Sequence, residues 1–115
     1  MNTGLWCGGR RIARDVRDAG GPIGRALGLM GRKVWPAGVA LRIRNCASIH
    51  TCFMRFAIDV VFLDADDRIT RVTRGLPPWR AAFGGRTART ALEWLAGSLP
   101  EDGLHIGDRV ESAAS

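Results

Sequence analysis

The sequence predicts a single, mainly β domain: an antiparallel β-sandwich or partly open barrel with one or two short helices. Three observations carry that prediction. From Val39 onward, apolar residues recur at every second position or run in short β-branched and aromatic stretches. Asp64-Ala65-Asp66-Asp67 is an acidic hairpin signal between two such stretches. Helical periodicity is confined to one short glycine-containing segment. A chain of 115 residues that is 46% hydrophobic suffices for one core. We place that domain at residues 10–112, after a poorly ordered N-terminus of residues 1–9.

In chain order, Arg11–Asp18 reads as a strand, with Ile12 and Val16 on it. Gly20-Gly21-Pro22 is a break. Pro22 suits a first helical turn, so Pro22–Gly31 is the expected short helix, with Ile23, Ala26, Leu27 and Met30 on one side. Leu41 and Ile43 alternate with Arg42 and Arg44, the pattern of a half-buried strand. Ile49–Arg55 and Phe56–Leu63 carry strand composition, and Arg68–Arg74 is the return arm of a hairpin whose tight turn is Ala65–Asp67. Pro77-Pro78 ends that arm and Gly84-Gly85 opens a loop. Thr87–Leu95 suits helix or strand by local pattern. Leu99–Gly107 is loop-like, and Asp108–Ser112 can close a sheet.

Residues 1–55 hold ten Lys and Arg against two Asp, a net of +8, while residues 56–115 net −2. A basic half can attract phosphates or anionic membranes. Sixteen of the seventeen cations are Arg and there is no Tyr. Aromatic interleaving of the base-stacking kind is absent from the basic half, which weighs against a nucleic-acid groove and for a solvated surface. No run approaches the length of a membrane helix, and MNTGLWCGGRR lacks a secretory apolar stretch. The expected compartment is the cytoplasm, with the three cysteines reduced.

Several pieces recur in a set order: Arg25–Arg32 (RALGLMGR), Ile49–Asp64 (IHTCFMRFAIDVVFLD), Asp66–Val72, Leu76–Arg80, Ala91-Leu92-Glu93 with Ala96-Gly97, and Gly107–Val110. In order and spacing they resemble the domain of unknown function 192 family across residues 10–112. The resemblance implies a compact, mostly antiparallel β-sandwich and tips residues 89–95 towards strand. It implies no activity, because that family has no accepted catalytic residue. Ala57 stands where the family usually has Pro, and Pro36–Ala40 replaces a Gly-rich turn. Trp94 replaces a smaller residue.

Cys46, His50 and Cys52 are metal-ligand types. On an extended strand, however, the Cα atoms of Cys46 and His50 would lie about 13 Å apart, too far for one tetrahedral zinc. No CxxC-type spacing occurs, so no metal or cofactor is expected and the thiols read as small buried hydrophobes. Asp59 stands on a strand face otherwise filled by Val61 and Leu63, opposite Ile58, Val60 and Phe62. There it must find donors or stay protonated. Backbone N–H groups, Arg32 or Arg55 could supply them, and a structural role is the commoner one for such a carboxylate.

Arg32, His50, Arg55, Asp59, Trp79 and Arg80 form the ligand-binding candidates. An indole beside an Arg suits sugars or planar anions, although Trp79 could instead plug one end of the sandwich. RALGLMGR lacks the order of a phosphate loop, and no nucleophile elbow or Ser-His-Asp order occurs. The leading reading is a small binding or accessory module for a small polar or anionic ligand. A hydrolase or lyase using His50 or Asp59 as base, and a binder of anionic surfaces through the Arg-rich first half, are the alternatives.

Overall fold

The computed structural model describes residues 3–19 and 34–114. Ten strands run in chain order: β1 (Thr3–Cys7), β2 (Arg10–Ala13), β3 (Asp15–Asp18), β4 (Val39–Arg44) and β5 (Ser48–His50), then β6 (Ile58–Leu63), β7 (Ile69–Leu76), β8 (Ala81–Phe83), β9 (Thr90–Leu95) and β10 (Val110–Ala114). They make three open sheets with strand orders β10-β1-β2, β3-β4-β9-β6-β7 and β5-β8, and none closes into a barrel. There is no helix among the described residues. The helix expected at Pro22–Gly31 lies outside them, as does Arg32.

The five-stranded sheet is the middle of the molecule and carries a core on each face. On one face Leu41, Ile43, Ile58, Val60, Phe62 and Ala91 pack with Ile49 and Ala82 of the two-stranded sheet, together with Trp35 and Met54. On the other face Ala40, Val61, Leu63, Leu92 and Trp94 pack with Leu5, Cys7, Ile12 and Val110 of the three-stranded sheet. The alternation read along Phe56–Leu63 therefore holds. Both sides of β6 are covered, so all six of its residues are buried.

β6 pairs antiparallel with β7 and β9. In the turn between β6 and β7, Asp64 Oδ1 accepts from the N–H groups of Asp66 and Arg68 at 2.8 and 3.0 Å. An Asp at this position satisfies turn donors that would otherwise need water. Residues 90–95 form β9, a strand as the family resemblance implies. The oversized Trp94 is fully buried and donates Nε1–H to Ile12 O at 3.1 Å, tying β9 to β2.

Four expectations change. Residues 1–9 are not loosely ordered throughout, because β1 pairs with both β10 and β2 and buries Leu5 and Cys7. Arg11–Asp18 is two strands in different sheets, and at the switch the Arg14 N–H bonds to Gly38 O at 2.9 Å. β3 and β4 pair in parallel, an exception to the antiparallel rule, and Asp18 holds Arg42 across that pair at 2.7 and 3.1 Å. Finally, Ile49–Arg55 is not one strand. β5 stops at His50, and Phe53 takes a φ of 64°, outside the extended region that a non-glycine strand residue occupies.

Candidate functional site

β5 and β8 form a three-residue ladder whose register sets Ser48 opposite Phe83, Ile49 opposite Ala82 and His50 opposite Ala81. Ile49 and Ala82 point into the core, so Ser48, His50, Ala81 and Phe83 occupy the outer face. Past His50 the chain turns, and Thr51 fastens that turn to the segment before β8. Thr51 is fully buried. Its N–H donates to Arg80 O at 2.8 Å and its C=O accepts from Trp79 N–H at 3.1 Å. Its hydroxyl donates to Pro77 O at 2.6 Å and accepts from Arg80 N–H at 2.8 Å.

This anchoring holds two aromatic rings in solvent. Phe53 and Trp79 both have φ of 64°, a region costly for bulky L-residues. Their rings meet edge to face, with centroids 4.7 Å apart and planes at 62°. Burial does not explain the pair, because Phe53 is 62% and Trp79 57% exposed. Trp79 therefore does not plug the sandwich. Phe83, 67% exposed on the adjoining ladder, is a third such ring. Strain of this kind persists where surrounding contacts enforce it, and it concentrates at functional surfaces.

His50, Trp79 and Arg80 thus come together around Thr51. His50 Nδ1 accepts the Cys52 N–H at 3.3 Å, which assigns the proton of the neutral ring to Nε2. Among the described residues no carboxylate hydrogen-bonds its ring. Arg80 is exposed and reaches back to Trp79 O at 3.2 Å. Arg55 is exposed two residues beyond Phe53. Segments 46–57 and 77–89, which hold all three exposed rings, contain Arg55, Arg80, Arg86 and Arg89 and no Asp or Glu. None of these four arginines joins an ion pair among the described residues.

Asp59 is not part of this exposed group. It is buried, and its two oxygens accept the backbone N–H groups of Gly75 at 2.9 Å and Gly97 at 3.1 Å. The carboxylate clamps the end of β7 to the turn after β9, the structural arrangement for which an acid on that face was expected.

Reading the sequence missed Glu93. It lies on β9 between Leu41 and Val60, facing the core that contains Trp35 and Met54. It is buried, and its Oε2 has no hydrogen-bond partner among the described residues. Burial pushes its carboxyl up to about 7. The signal was available, since Glu93 interrupts the run Thr90–Leu95 much as Asp59 interrupts β6.

Of the thiols only Cys7 is buried. Cys46 and Cys52 are half-buried, which departs from the fully buried reading, and all three are free. Among the described residues no three His, Cys, Asp or Glu side chains gather into a metal-binding group. A groove of about 500 Å³ is lined by Trp6, Gly8, Gly9, Asp108, Arg109 and Glu111, none of them a candidate from the sequence. No helix among the described residues is long and apolar enough to cross a membrane.

Residues 7–112 match the family model described as Uncharacterized ACR, the domain of unknown function 192. A UPF0127 protein of Pyrococcus furiosus is 39% identical over 106 residues, 90% of each chain. Two solved structures share the fold at a TM-score of 0.80. A protein of unknown function from Novosphingobium aromaticivorans is 18% identical, over 96% of this chain and 84% of its own. A candidate transcription regulator from Sinorhizobium meliloti is 22% identical, over 96% of this chain and 92% of its own.

Proposed function

The chain belongs to the domain of unknown function 192 family, and we propose that it is a cytoplasmic binding module whose contact surface is built on His50, Phe53, Trp79 and Arg80. The observation that carries this reading is the Phe53–Trp79 pair, two bulky rings held in solvent at left-handed φ. A sequence selected for folding alone gains nothing from that expense. The ligand is polar or anionic with a flat face. The rings provide stacking area, Arg80 and Arg55 provide charge, and His50 provides a donor. Asp59 belongs to the scaffold rather than to this surface.

The hydrolase or lyase reading is weaker. Both Asp59 oxygens are already bonded, and His50 has no carboxylate to orient it among the described residues. Amide chemical shifts recorded against a panel of nucleotides, sugars and carboxylates test the proposal. Perturbations should cluster at His50, Phe53, Trp79 and Arg80. Binding confined to the groove at Trp6 and Glu111, or none from any panel member, defeats it.

A further inference from the structure

Resting on that reading, we infer that the surface takes single-stranded nucleic acid. The Arg-rich first half had argued against nucleic acid because it lacks interleaved aromatics. The fold supplies the interleaving from elsewhere. Segments 46–57 and 77–89, apart in sequence, are brought together by the β5–β8 ladder and by Thr51. Together they present three exposed rings and four arginines without one carboxylate in either segment.

Flexible single strands are bound by this combination. Bases stack on aromatic side chains, and guanidinium groups meet the phosphates or stack in turn. From Trp79 to Phe83 the chain spans at most about 13 Å, the reach of four residues at about 3.3 Å each. That spacing suits the two or three bases that sheet aromatics stack in single-stranded RNA recognition. Ser48 and His50 stand on the same ladder face as Phe83, so polar groups able to bond base edges lie beside a stacking ring.

An anionic membrane is the competing partner, since aromatics and arginines also suit lipid headgroups. The arrangement favours the strand. Trp79 is followed directly by Arg80, and Phe83 lies on a sheet face beside Ser48 and His50 rather than at a loop tip. Inserting the rings into lipid would carry these polar groups down with them. A stacked base needs no such burial.

Fluorescence anisotropy of a labelled oligouridylate of about twelve nucleotides tests this, with the full chain in about 50 to 200 mM salt. Wild-type binding should weaken with a log–log salt slope of about −3 if four phosphates are neutralised, at about 0.7 per phosphate. Trp79→Ala and Phe83→Ala should each lower affinity about tenfold, while Trp79→Phe keeps most of it. Arg80→Ala should flatten the slope by about 0.7. Melting curves accompany every variant. Should Trp79→Ala unfold, Phe83→Ala and Arg55→Ala still decide, because both side chains are exposed.

Three results overturn the inference: no binding to the oligonucleotide at low salt, wild-type affinity in both ring-to-Ala variants, or equal affinity for a duplex. Binding to phosphatidylserine vesicles in place of the oligonucleotide assigns the surface to a membrane instead. If small ligands perturb Trp79 and Arg80 but the oligonucleotide does not bind, the binding module stands and this inference falls. If nothing perturbs them, both fall.

Discussion

Replacing Glu93 with Gln should stabilise the protein at alkaline pH and leave it almost unchanged in acid. The carboxyl lies between Leu41 and Val60 in an apolar core, and its value moves from 4.5 to about 7 through burial. Below about 4.5 the folded and unfolded chains both hold the proton, and Glu93 adds nothing to the pH dependence. Between 4.5 and about 7 the unfolded chain has released its proton while the folded chain keeps it, so stability falls as pH rises. Above that window the core must hold a carboxylate. At about 1.36 kcal/mol per pH unit the full cost is about 3 kcal/mol.

Gln has the shape of the acid and stays neutral at every pH. At pH 8 Glu93→Gln should therefore gain about 2–3 kcal/mol, or about 10 °C in Tm for a domain of this size. At pH 5 the difference should be under about 1 kcal/mol. Urea unfolding of both proteins in matched buffers measures it, and subtracting the two curves cancels every other titrating group. If Gln is destabilising at pH 8, or the gain is the same at both pH values, burial does not hold the carboxyl towards its neutral form and the reasoning fails.

Other positions give sharper structural tests. Asp59→Ala should cost about 1–3 kcal/mol for each of the Gly75 and Gly97 N–H groups it strands, read from the urea midpoint. An unchanged Tm in Asp59→Asn would remove the clamp from the account. Thr51→Val keeps the buried volume but strands the Arg80 N–H and Pro77 C=O, so about 1–3 kcal/mol should be lost and Trp79 emission should shift as its loop loosens. Gly84→Ala would place a Cβ 2.6 Å from both the Phe62 ring and the Ala88 methyl, and the overpacking should lower stability by about 1–3 kcal/mol.

The parts readable from sequence were those governed by local periodicity. β6 and β7 followed from alternation and from an Asp-rich turn whose side chain caps its own backbone. Even the two faces of β6 were assignable, because period two leaves no freedom once one side is apolar. The break at His50 was not readable. Phe53 belongs to a residue type favoured in strands, and its left-handed φ is imposed by Thr51 bonds to residues 77–80. The parallel β3–β4 pair was hidden for the same reason, since the pairing of distant strands leaves no mark in a short window.

The same distinction separates the two buried acids. Asp59 and Glu93 look alike in sequence, each a single charge inside an apolar strand on the central sheet. Their environments differ through backbone placed by other segments. A bulge at Gly75 within β7 and the turn at Gly97, with φ of 62° and 87°, aim N–H groups at both Asp59 oxygens. Nothing among the described residues bonds Glu93 Oε2 in this way, so burial pushes that group towards its neutral form. One acid therefore braces the fold by accepting two bonds, while the other weakens it above neutral pH. The exposed rings follow the same logic: Phe53 and Trp79 are strained one by one, and the carbonyl of buried Thr51 accepts from the N–H groups of both Met54 and Trp79. Residue type proposes a role at each of these positions, and the donors that the fold delivers decide which role is taken.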